Sequence, residues 1–114
     1  MKSIYLIMPV RNADERVQAI ATAHCRRLEA AGHKVHFPPR DAPQDDPTGR
    51  IICETHRAAM QACNEVHVIW DVNSSGSHFD LGMAYAMRKP IVAVESIEEI
   101  KPGKSYWAAV IAPR

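Results

Sequence analysis

A surplus of charge of either sign is missing from this chain. Its 14 Lys and Arg against 13 Asp and Glu leave a formal +1 at pH 7. A general nucleic-acid binder needs a basic surplus, so that class is excluded, whereas a local anion site is not. Long apolar runs are missing too. No stretch approaches the ~20 residues of a membrane span. The first run, Ile4-Tyr-Leu-Ile-Met8, is too short for a signal peptide and is followed by Pro9, Val10 and Arg11. The expectation is a cytoplasmic protein with neither a membrane nor a nucleic-acid partner. Cysteine is scarce: Cys25, Cys53 and Cys63 are odd in number, form no Cys-x-x-Cys pair and fall in expected helices. They read as buried free thiols rather than as a disulfide, redox or metal set. His33 and His36 would share a strand and point to opposite faces, and no other His, Cys or Asp cluster has ligand spacing, so neither a metal nor a cofactor is expected. Repeats and linkers are absent. The 114 residues, 46% apolar and 24% charged, suit one globular domain with one core.

What is present is an alternation of apolar runs and amphipathic segments. Ile4 to Met8 suits a fully buried strand of a parallel sheet. A polar turn from Val10 to Asp14 leads into a helix to about Ala31, with Val17, Ile20, Ala21, Leu28 and Ala31 on one face and Gly32 ending it. His33 to Phe37 reads as a second strand. Pro38 to Pro47 holds four prolines in ten residues and reads as a loop without regular structure. A second helix is predicted from Thr48 or Gly49 to Cys63, with Ile52, Thr55, Ala59, Ala62 and Cys63 as its inner stripe. Val66 to Trp70 is a third strand. A third helix follows from about Ser77 to Arg88, where Arg88 and Lys89 suit its C-terminal dipole and Pro90 stops it. Ile91 to Glu95 is a fourth strand, and Ile97 to Ile100 is long enough for one helical turn. Tyr106 to Ala112 is either a short helix or a fifth strand, and a strand or extended segment is the expectation. This order predicts an α/β fold: a single-domain, doubly wound parallel sheet, flavodoxin-like or Rossmann-like, of four to five strands in order 2-1-3-4(-5), with helices on both faces.

In such sheets ligands sit beyond the carboxyl ends of the strands, where the order reverses, here between strands one and three. Three polar loops converge there. The longest informative stretch is Asp71-Val-Asn-Ser-Ser-Gly-Ser-His-Phe-Asp-Leu-Gly82. A strand, then small polar residues, then a helix N-terminus is how α/β proteins hold an anion. Ser74, Gly76 and Ser77 offer hydroxyl and N–H groups, with Asp71 and Asn73 beside them. Asp80 falls in the expected first turn. Ser77 and Asp80 also match a weak capping box, a pattern that prefers Glu or Gln at its last position, and the two readings are compatible. Arg11 either pairs with a phosphate or carboxylate or is a solvated loop residue. His78 faces either ligand or solvent. Gly82 costs about 1 kcal/mol relative to Ala inside a helix, which predicts close packing against the sheet or a ligand.

Three segments together resemble the nucleoside 2-deoxyribosyltransferase superfamily, including its 2′-deoxynucleoside 5′-monophosphate N-glycosidases. They are Ile4-Tyr-Leu-Ile-Met-Pro-Val-Arg11, Cys63-Asn-Glu-Val-His-Val-Ile-Trp-Asp71, and the run from Ser74 through Gly76, Ser77, Asp80, Leu81 and Gly82 to Lys89-Pro90. The resemblance implies cleavage or transfer of the N-glycosidic bond of a (deoxy)nucleoside or its 5′-monophosphate, with Asp80 as nucleophile or oxocarbenium stabiliser. It implies Ser74 at the 5′-phosphate, Tyr5, Pro9 and Arg11 along the sugar and phosphate, and a homodimer or higher homo-oligomer. Trp70, Tyr106 and Trp107 are candidates for its interface. Two departures stand out. Family members carry Glu where this chain has Asp80, one methylene longer. The acidic residue they often place on the preceding helix falls at His56, which can donate a proton near neutral pH but cannot copy a carboxylate. These departures motivate an alternative, a nucleotide- or nucleotide-sugar-binding domain without glycosidase activity. A receiver-like module would want acidic residues where Pro9, Val10 and Arg11 stand, and a flavodoxin-like one would carry flavin.

Overall fold

The computed structural model describes residues 1–97 and 103–112. Strand β1 (Ser3–Ile7) and helix α1 (Glu15–Ala30) are followed by β2 (Lys34–His36), a short helix α2 (Pro38–Asp41) and α3 (Arg50–Ala62). Then come β3 (Glu65–Trp70), α4 (Ser75–Ala86), β4 (Ile91–Ser96) and a π-helical turn, Trp107–Ile111. The strands form one parallel sheet in the order β2-β1-β3-β4, as the sequence predicts.

Alternation along the strands splits the core into two layers. Tyr5 and Ile7 of β1 share a face with Val66, Val68 and Trp70 of β3, packed beneath Met60 of α3 and Leu81 and Ala84 of α4. Leu6, Met8, Val35 and Ile69 look the other way, onto Val17, Ala21 and Cys25 of α1. Burying each large apolar side chain favours folding by about 1.5–3 kcal/mol, which is why all of β1 from Ile4 onward is sealed.

Helix ends set how these layers meet. Asp14 caps α1 by accepting from the Val17 N–H at 2.9 Å. Gly32 takes the left-handed conformation (φ 92°) that ends that helix, as expected. At the far end of α3, the Lys89 ammonium donates to the carbonyls of Gln61 (3.0 Å) and Cys63 (2.8 Å), orphan acceptors of the last turn.

Several expectations are corrected. The proline segment is not wholly irregular: α2 places prolines in its first turn, where the missing N–H is an orphan anyway. Arg40 then fixes α2, bonding Glu29 (3.1 Å), Asp41 (2.8 Å) and the Val35 carbonyl (3.0 Å). The segment from Tyr106 to Ala112 adds no strand. It makes the π-helical turn, which lays Ile111 on the core beside half-buried Trp107. Among the described residues the sheet therefore has four strands. Beyond Ile97, the turn expected to Ile100 lies outside the described residues. Ala31 and Ala62 are exposed rather than inner-face residues. Cys53 is exposed, whereas Cys25 and Cys63 are buried. Trp70 belongs to the core, so it is no surface interface residue. No described helix is long and apolar enough to cross a membrane.

Candidate active site

The chain leaves β1, β2 and β3 at the same end of the sheet. There the exits enclose a cleft of about 610 Å³. Arg11 and Asn12 come from the first exit, Pro38 and Gln44 from the second, Asn73 and Ser74 from the third. Helices α3 and α4 supply its walls through Ile52, Cys53 and His56 on one side and Gly76, Phe79 and Asp80 on the other. Asn12 sits at φ 60°, a left-handed conformation that asparagine tolerates better than most residues. A larger hollow, about 840 Å³, lies by the start of β4, away from the strands' carboxyl ends.

Asp80 is 7% exposed, and among the described residues it is the one carboxylate lining the cleft. The Tyr5 hydroxyl, carried on the sealed strand β1, donates to its Oδ2 at 2.9 Å. Burial pushes the Asp80 carboxyl up to about 6, and the Tyr5 hydrogen bond partly opposes that rise. The Tyr5 phenol is itself held far above its ordinary value by burial and by the neighbouring carboxylate.

The Tyr5 ring is gripped by two imidazoles. His36 lies at 4.9 Å between ring centroids, and His56 stands edge-on at 5.9 Å. The two histidines bond each other, His36 Nε2 to His56 Nδ1, at 3.0 Å. Burial, and then the neighbouring His56, push His36 down to about 4, and burial lowers His56 as well.

Helix α4 begins at Ser75, two residues before the expected start. Its cap is Ser74 rather than Ser77: the Ser74 hydroxyl accepts from the Ser77 N–H at 3.3 Å and from the Ser77 hydroxyl at 2.8 Å. Gly76 thus lies in the first turn of the helix, and Asp80 in the second. Asp71 organises the approach, its side chain accepting from the Asn73 N–H at 2.9 Å and its carbonyl from the Ser74 N–H at 3.0 Å.

Of the residues expected at the site, Asp80, His56, Arg11, Asn73, Ser74 and Gly76 line one cleft, and Tyr5 reaches it through Asp80. Pro9 and Ser77 are buried just behind. Three more residues are not among those lining the cleft: Asp71, which shapes the approach through its hydrogen bonds, His78 and Gly82. His78 turns away, donating from Nε2 to the Val72 carbonyl at 2.9 Å and packing between Trp70 (4.8 Å) and Tyr106 (5.5 Å). Gly82 is exposed, and a β-carbon there would meet nothing within 4 Å, so the expected close packing is absent. His36, Cys53 and Phe79 were not foreseen. A signal for His36 existed: it pairs in register with Tyr5, so an inward Tyr5 implies an inward His36.

A four-stranded parallel sheet of this order, with a buried carboxylate at its switch point, defines a class of small α/β proteins built around one ligand cleft. Among solved structures, the chain is similar to a 2-deoxyribosyltransferase from the psychrotolerant bacterium Bacillus psychrosaccharolyticus. That match has a TM-score of 0.68 and 19% identity, over 86% of this chain and 76% of the other. It is also similar to the CMP N-glycosidase of Clostridium botulinum, with a TM-score of 0.60 and 20% identity, over 93% and 76%. No family model and no curated protein matches the sequence. What is shared at these identities is the fold, which is the nucleoside 2-deoxyribosyltransferase-like one that the sequence resemblance implied.

Proposed function

We propose that the protein breaks or transfers the N-glycosidic bond of a (deoxy)nucleoside or its 5′-monophosphate. One observation carries this reading: Asp80 is a buried carboxylate with one oxygen held by Tyr5, at the wall of a nucleotide-sized cleft. Cleavage develops oxocarbenium character at the anomeric carbon, and a carboxylate there captures or stabilises it. An Asp80 oxygen bonds that carbon as the bond to the base breaks. The base departs with the bonding electron pair and receives a proton. Water or a second base then opens the glycosyl ester and returns the carboxylate. His56 donates a hydrogen bond to the departing base. Arg11, Asn73, Ser74 and Gly76 hold a phosphate or sugar hydroxyls, aided by the α4 dipole. The chemistry needs neither metal nor cofactor. The nucleoside and nucleotide chemistry of the structures that share this fold supports the same reading. We further propose a homo-oligomer, since Ile51, Phe79 and Tyr85 on the α3 and α4 side of the sheet are 61%, 52% and 67% exposed.

The test is chromatography of free base released from a panel of nucleosides and 5′-monophosphates. Release by the parent and none by Asp80→Ala is expected, and no turnover across the panel would sink the proposal. A second reading, nucleotide binding without cleavage, is favoured by His56, whose burial keeps it neutral where a carboxylate would be acidic. Asp80→Glu separates the two. Hydrolysis that appears only in the Glu variant supports binding alone, and turnover already present in the parent rejects it.

A further inference from the structure

The histidine pair behind the cleft has a direction. Position 36 is fixed by the sheet, because His36 is the register partner of Tyr5. Position 56 is fixed by α3. Their rings meet nearly at right angles (85°), with His36 Nε2 and His56 Nδ1 3.0 Å apart, so one of these nitrogens carries the shared proton. Among the described residues no group bonds the other nitrogen of His56, its Nε2. Among those residues no sealed side-chain nitrogen or oxygen is left without a partner, so that atom is open to solvent, and His56 lines the cleft.

Only two neutral arrangements satisfy the bond. In one, His36 donates from Nε2, and His56 keeps its own proton on Nε2, facing the cleft. In the other, both rings carry their protons on Nδ1, and His56 presents a bare acceptor instead. The first leaves both imidazoles in the tautomer that neutral imidazole prefers, and the second reverses both. We propose that His36 is a positioning residue, donating to His56 so that His56 offers an N–H to the base or sugar of a bound nucleoside. Resting on the glycosidase reading for its catalytic consequence, this assigns His56 a fixed donor role. Burial keeps both rings neutral near pH 7, which preserves the one-proton bond. The pair also grips the Tyr5 ring and thereby the hydroxyl that holds Asp80.

The deciding experiment measures 15N chemical shifts of the imidazole nitrogens in the full-length protein and in its His36→Gln and His36→Leu variants. Gln keeps a donor close to the place of Nε2, and Leu removes it. The expected result is a single Nε2–H tautomer of His56 in the parent and in His36→Gln, and a mixture in His36→Leu. In the base-release assay His36→Leu should lose about tenfold in kcat with KM within about twofold, the scale of one lost hydrogen bond, and His36→Gln should recover most of it. An Nδ1–H tautomer of His56 in the parent overturns the proposal, and so does equal behaviour of the two variants. If the parent releases no base, the glycosidase reading fails, while the tautomer measurement still decides the role of His36.

Discussion

At position 80 two demands on one carboxyl oppose each other. Burial favours its neutral form, and the proposed nucleophilic attack needs the charged one. With the group pushed up to about 6, base release should fall on the acid side of about pH 6, roughly tenfold per further pH unit. Replacing Tyr5 by Phe removes the donor that opposes this rise, so the acid limb should move to higher pH as turnover drops. The same shift governs stability. The folded-state value exceeds the unfolded 3.8, so the stabilising contribution is full below about pH 4 and is lost as pH rises through about 6. Asp80→Asn should therefore raise the urea midpoint at pH 8, a stability gain on the order of 1–3 kcal/mol that vanishes near pH 4. A denaturation series across that range checks the sign. An unchanged or lower midpoint at pH 8 would mean that burial of the charge costs little.

Among the elements, α4 starts two residues before its expected position. Both Ser74 and Ser77 are competent caps, and sequence pattern alone could not choose between them. Burial decides: Ser77 is sealed within the fold and its hydroxyl donates to that of Ser74, which leaves Ser74 as the residue outside the helix. Ser74→Ala should cost about 1 kcal/mol of stability and weaken phosphate-bearing ligands more than nucleosides, measurable by calorimetry with matched pairs. Gly82 is the opposite case. Among the described residues its expected packing partner does not exist, so Gly82→Ala should stabilise the monomer by about 1 kcal/mol in thermal unfolding. The short helix α2 escaped the sequence reading because four prolines in ten residues read as a breaker, although prolines at a helix start are tolerated. The last segment escaped because an apolar run of this length suits a strand or a helix equally, and only its packing onto the core through Ile111 separates them.

For the whole molecule, topology was the most legible property. Apolar strands alternating with amphipathic helices leave few chain paths, and right-handed crossovers put α1 on one face and α3 and α4 on the other. The cleft followed from topology, and Asp80 and Ser74 from motif. The Tyr5, His36 and His56 cluster did not, because strand register and helix rotation bring it together across 51 positions of sequence. Self-association also belongs to this scale. Sedimentation equilibrium should return at least twice the 12.7 kDa of one chain, and Ile51→Glu with Tyr85→Glu should lower it toward one. Lys89 was quoted in the sequence only as half of a Lys-Pro signature, yet its ammonium ties the end of α3 to the segment that follows α4. Those two helices carry His56 and Asp80 near their middles. The gap between these two side chains is thus gauged from the far side of the protein, as the jaws of a calliper are set at its pivot. A substitution there would put the jaws out of true without altering either of them.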